Sequence, residues 1–114
     1  MYYFALLGCF ITIGLGLLGA VAPARAALLV SIEPKGRTGV SEVRATYGGL
    51  FLGMGLACLA LQSKSAFAVA SACWLGAALL RVLSLGLDRN PTVKNFRAIG
   101  IEAGIGALFG LGAW

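Results

Sequence analysis

Four apolar runs divide the chain, over residues 2–22, 45–61, 66–87 and 96–114. At the 1.5 Å rise of a helix each run spans about 25–33 Å, against a bilayer hydrocarbon core of about 30 Å. None of them alternates apolar and polar residues in a sustained way, and a membrane barrel needs at least about eight strands of roughly ten residues. In lipid only helices or closed barrels satisfy the backbone. The pattern therefore predicts an all-α fold: an integral membrane four-helix bundle with antiparallel up-down spans, one domain over residues 1–114.

The connections follow from local chemistry. The longest covers residues 23–44. Pro23 ends or kinks the first helix. Ala26 to Ile32 is apolar but too short to span, so it continues the first helix or lies as a short interfacial helix. Glu33 to Gly39 reads as a loop by composition. Ser41 is placed to cap the second helix, with Glu42 in its first turn. Gln62 to Ser65 alone joins the second and third runs, which makes these helices antiparallel neighbours. Asp88-Arg89-Asn90-Pro91 ends the third helix, and Thr92 can start the fourth. Ala24-Arg25-Ala26 looks like a signal-peptidase site. However, Met1-Tyr2-Tyr3-Phe4 carries no basic residue and the run is long for a signal peptide, so residues 2–22 are read as a retained span.

Composition narrows the function classes. Of 114 residues 60% are apolar and only 11% charged, where soluble domains carry roughly 25% charge. That excludes a disordered chain, a nucleic-acid-binding module and an ordinary soluble enzyme. With no histidine, His-ligated metal and His acid–base catalysis are ruled out, and no catalytic residue, metal or cofactor is expected. Cys9, Cys58 and Cys73 lie inside apolar runs without C-x-x-C spacing and read as small buried hydrophobes, with a disulfide or thiolate cluster on one side of the membrane as the alternative. The net charge of +5 reflects orientation. Arg25, Lys35, Arg37 and Arg44 lie in one connection, and Arg89, Lys94 and Arg97 in another on the same side. Lys64 stands alone opposite. The positive-inside rule puts both basic connections in the cytoplasm and both termini on the periplasmic side of an inner membrane. Tyr2, Tyr3 and Trp114 then form an aromatic belt.

Small residues mark helix-contact faces. Glycine recurs at four-residue spacing at Gly49 and Gly53, Gly100 and Gly104, and Gly106 and Gly110. The first run carries Gly8, Thr12, Gly16 and Ala20 at the same spacing. Such faces let helix backbones approach closely in lipid. Packing within the chain is the first expectation for them, and at least one glycine face is expected to meet another protein.

Two charges fall inside spans. Arg81 and Glu102 lie about 9–10 Å deep from the same side, where insertion of a charge costs on the order of 3 kcal/mol. Opposite charges at matched depth on consecutive antiparallel helices invite a direct pair. Ala98, Glu102, Gly106 and Gly110 form one small-residue stripe, so Glu102 is predicted to face a packed interface. Arg44, Tyr47, Gly48 and Phe51 share a face on the second helix. A structural polar network of Glu42, Arg44, Tyr47, Arg81 and Glu102 is the resulting expectation, with a headgroup pocket or a proton-coupled site as alternatives.

The stretch Glu42-Val43-Arg44-Ala45-Thr46-Tyr47-Gly48-Gly49-Leu50-Phe51-Leu52-Gly53 resembles the signature of a bacterial family of small four-span membrane proteins, a domain of unknown function (family 4345). Arg81, the Asp88 and Pro91 loop and Glu102 agree further. Arg89-Asn90 departs from the family pattern, which places a glycine turn after Asp88. The resemblance implies a fold and a membrane location and carries no established activity.

Three functions compete. The first is a non-catalytic accessory or scaffold subunit packing against a larger membrane complex or a second copy. It accounts for the glycine faces and the lack of a sizeable soluble loop. The second is a lipid-, sterol- or quinone-binding protein, with Arg44, Tyr47, Arg81 and Arg97 near the cytoplasmic interface holding an anionic headgroup. The third is a small proton-coupled exporter acting as a dimer. In size and span count the chain looks like the small multidrug resistance transporters, but their essential glutamate sits in the first span, which here has no charge.

Overall fold

The computed structural model describes residues 1–114 and contains helices only. They are α1 (Tyr2–Val21), α2 (Pro23–Leu29), α3 (Gly36–Leu61), α4 (Lys64–Leu87) and α5 (Val93–Ala113). All but α2 are long and apolar enough to cross a membrane. Pro23 opens α2 as its first residue, where the missing N–H costs nothing. The apolar stretch before Glu33 is thus a separate short helix rather than an extension of α1.

The second span departs from expectation at its start. Its helix begins at Gly36, and Ser41 lies exposed inside it instead of capping it. Glu42 likewise falls outside the first turn. The segment from Lys35 to Gly39 reads as loop because it holds two glycines, each costing about 1 kcal/mol in an isolated helix. Once a long helix is nucleated, however, adding a turn to its end is cheap. Val40 and Val43 give that turn an inward face, and Gly39 lets it close onto Pro34, whose Cα stands 3.2 Å from where a Cβ would be. Within α3 the residues Arg44–Leu50 form a π-helical stretch.

The other boundaries follow the expected chemistry. The Ser63 hydroxyl accepts from the Ala66 N–H at 3.2 Å and caps α4. The Thr92 hydroxyl accepts from the Asn95 N–H at 3.2 Å and caps α5. Arg89, in the turn after Asp88 where a glycine is expected, has φ +49°, the left-handed region that favours glycine.

The chain forms two compact units. One comprises residues 1–8 and 61–114, the other residues 9–60. In the first, α4 and α5 run antiparallel. Phe67 and Phe109, both almost fully buried, sit with ring centroids 6.3 Å apart. The start of α1 joins them: a side chain at Gly112 would overlap Ala5, and one at Gly8 would meet the Phe109 ring at 3.2 Å. Tyr2 donates its hydroxyl proton to Gln62 Oε1 at 2.6 Å.

In the second unit the remainder of α1 lies antiparallel to α3. A Cβ at Gly55 would stand 2.6 Å from Ile13 Cγ1, one at Gly16 would stand 2.6 Å from the Leu52 nitrogen, and one at Gly19 would overlap the Tyr47 backbone. Here the two backbones touch without side chains between them. Ala26, Ala27 and Val43 form a buried cluster against which Leu18 and Tyr47 pack.

Candidate functional site

Arg81 and Glu102 meet as the depth match predicts. Arg81 Nη2 donates to Glu102 Oε1 at 2.7 Å, and Nε donates to Oε2 at 3.1 Å and to Oε1 at 3.3 Å. This two-pronged geometry is the strong form of an ion pair. The Glu102 side chain is 12% exposed and that of Arg81 26%. The pair sits in one unit between α4 and α5. One turn further into α5, the Ser71 hydroxyl donates to the Gly106 carbonyl at 2.7 Å. Gly106 makes this approach possible, since a Cβ there would collide with Leu75. Charge pair, hydroxyl bond and aromatic pair follow one another along a single interface.

Glu42, Arg44 and Tyr47 belong to the other unit. Arg44 Nε donates to the Ala20 carbonyl at 3.0 Å. That carbonyl lies in the last turn of α1, where unpaired carbonyls and the negative end of the helix dipole favour a cation. Tyr47 is half-buried against the Ala26, Ala27 and Val43 cluster, and its ring meets Phe51 edge-on at 5.8 Å. Gly48 touches α1 backbone to backbone, with Ala20 N 2.8 Å from where its Cβ would be. Glu42 is exposed. The signature-like stretch is therefore a joint: its arginine holds the end of α1, its tyrosine covers α2, and its first glycine removes the space between backbones. The π-helical turn coincides with this joint. Such turns are rare and sit mostly where a helix meets a special local demand.

The glycines divide differently from the expectation of in-chain packing. Gly106 and Gly110 are contact positions, with Ser71 Oγ 3.1 Å from a Cβ at Gly110. At Gly49, Gly53, Gly100 and Gly104 a Cβ would meet no atom within 4 Å, which corrects the in-chain reading for these four. The contact glycines of α3 are Gly48 and Gly55, offset from Gly49 and Gly53 around the helix. On α1 the expected stripe holds: Gly8, Thr12 and Gly16 are buried. Sequence reasoning passed over Gly19, Gly112 and Ser71. The signal for Ser71 was available, since a hydroxyl in the middle of an apolar run needs a partner.

Cys9 and Cys58 are buried as expected, Cys73 is exposed against that expectation, and none of the three forms a disulfide. No three His, Cys, Asp or Glu side chains gather as metal ligands.

Four helices long and apolar enough to cross a membrane fit a small multi-pass helical membrane protein. The chain belongs to the family described as Domain of unknown function (DUF4345), which matches residues 2–113. No curated protein and no solved structure matches the chain.

Proposed function

We propose that this protein is a non-catalytic integral membrane subunit, an accessory or scaffold protein that packs against a larger membrane complex. It would lie in an inner membrane with both termini on the periplasmic side, an orientation that the basic connections favour. The observation that carries this reading is the open space at Gly49 and Gly53 on α3 and at Gly100 and Gly104 on α5. Glycine costs about 1 kcal/mol relative to alanine inside a helix. The cost is offset where a neighbouring backbone comes close, as at Gly48 and Gly106. At the four open positions, as at Gly14 on α1 and Gly76 and Gly86 on α4, no atom of this chain supplies that return, and a helix of another protein would.

The ion pair supports the same reading. Both oxygens of Glu102 are engaged by Arg81, which suits a clamp that holds α4 and α5 in register better than a carboxylate cycling a proton.

Purification in mild detergent followed by mass spectrometry of the intact assembly tests the proposal. The expected result is a larger membrane protein in fixed ratio with this chain, lost in Gly100→Leu/Gly104→Leu while the chain itself melts unchanged. A strictly monomeric chain without a partner would overturn it. So would proton-coupled flux in proteoliposomes that Glu102→Gln abolishes.

A further inference from the structure

The connection that precedes the second span has a chemistry that the docking reading does not use. Pro34, Gly36, Arg37, Val40 and Arg44 line an open groove of about 590 Å³. Two arginines are among the lining residues, and no acidic residue is. Glu33 and Glu42 are neighbours in sequence, but both are exposed and outside the lining.

The arginines are set by helix geometry. They are seven residues apart, two turns of helix, and so share one face of α3 about 10 Å apart along its axis. Arg44 stands at the start of the apolar run 45–61, at the edge of the hydrocarbon. Arg37 reaches outward from there into the polar layer, which adds roughly 5–7 Å on each side of the core. Arg44 gives one N–H to the Ala20 carbonyl and retains the other donors of a five-donor group. The groove's remaining walls, Pro34 and Val40, are apolar. Beside it, α2 and the residues after it leave Leu28 and Leu29 largely exposed and Ile32 partly so, an apolar surface suited to the boundary layer of a membrane.

We propose that this groove is a binding site for the headgroup phosphate of an anionic phospholipid. Arg37 and Arg44 hold the phosphate oxygens with charge-assisted hydrogen bonds, the arrangement in which arginine surpasses lysine. Pro34 and Val40 contact the glycerol region, and Leu28, Leu29 and Ile32 lie among the upper acyl chains. The site belongs to the connection and the foot of α3, so it stands whether or not a protein partner covers the glycine faces.

Native mass spectrometry of the full chain in mild detergent tests this, with added dioleoylphosphatidylglycerol, dioleoylphosphatidylcholine and inorganic phosphate. Phosphatidylglycerol is expected to stay bound in preference to phosphatidylcholine, and a millimolar excess of inorganic phosphate is expected not to displace it. Arg37→Gln should weaken phosphatidylglycerol binding about fivefold, the effect of one basic charge near the headgroups. Arg37→Gln/Arg44→Gln should weaken it further, and Arg89→Gln should leave it unchanged. Arg37 is exposed and outside every packed contact described above, so its single variant reads binding without disturbing the fold. Equal retention of both lipids, displacement by inorganic phosphate, or undiminished binding in Arg37→Gln would each overturn the proposal.

Discussion

The two units solve the same problem by opposite means. Between α4 and α5 the contact is made by side chains: an ion pair, a hydroxyl-to-carbonyl bond and two phenylalanine rings tilted 36° to each other. Between α1 and α3 it is made largely by the absence of side chains, with Gly16, Gly19, Gly48 and Gly55 bringing backbone against backbone. Lipid tails are as apolar as leucine, so burying hydrocarbon gives little drive for helices to associate there. What remains is either polar bonds that lipid cannot offer or the dispersion gained when backbones come close. The first can be removed one bond at a time. The second is all-or-none, because a single Cβ in the wrong place separates the helices over several turns.

That contrast sets the order of expected effects. Gly48→Leu should be the most damaging, costing more than about 3 kcal/mol. Overpacking ordinarily costs 1–3 kcal/mol, and here the obstructing atoms are the Ala20 backbone, which cannot rotate away. Faster maleimide labelling of Cys9 and Cys58, with Cys73 unchanged, would locate the damage in the second unit. Labelling at the wild-type rate would refute the backbone-contact account.

Glu102→Gln should cost about 2–3 kcal/mol, below the 3–5 kcal/mol of a fully buried pair broken on one side, because Arg81 is a quarter exposed. Thermal melting followed by far-ultraviolet circular dichroism would measure it. A double-mutant cycle with Arg81→Met should recover much of the loss in Arg81→Met/Glu102→Gln, since no charge is then left unpaired. Without recovery, the pair is not the clamp proposed.

Arg89→Gly should stabilise the α4–α5 hairpin by about 1 kcal/mol by removing the Cβ from a left-handed position. The same melting assay would show a rise. Ser71→Ala should be the mildest, about 0.6 kcal/mol, the average for a hydrogen bond between membrane helices. A loss several times larger would mean that the side-chain interface is as cooperative as the glycine one.

The unequal legibility of the two interfaces has a physical cause. Arg81 and Glu102 announce themselves: a charge in an apolar run must find its opposite, and depth counted from each helix end pairs them. Thr92 at the start of α5 is equally plain, because an orphan N–H needs a hydroxyl. Glycine announces only that something is missing. Four-residue spacing identifies a smooth face and is silent on what that face meets, so Gly49 and Gly53 look as good as Gly48 and Gly55. The π-helical turn has no side-chain signature at all, and the helical start at Gly36 is hidden because cooperativity overrides the propensities of Lys35 to Gly39.

By themselves the residues determined the class of solvent, the number of spans and the one intramembrane ion pair. Each of these follows from the free energy of a single group or run in lipid, which composition and spacing state directly. The tertiary structure alone decided which glycines touch a backbone and which stand open, that Arg44 closes the end of α1, and that Arg37 and Arg44 share a groove. Those facts depend on the rotation of one helix against another, set by many small contacts at once and by no residue alone.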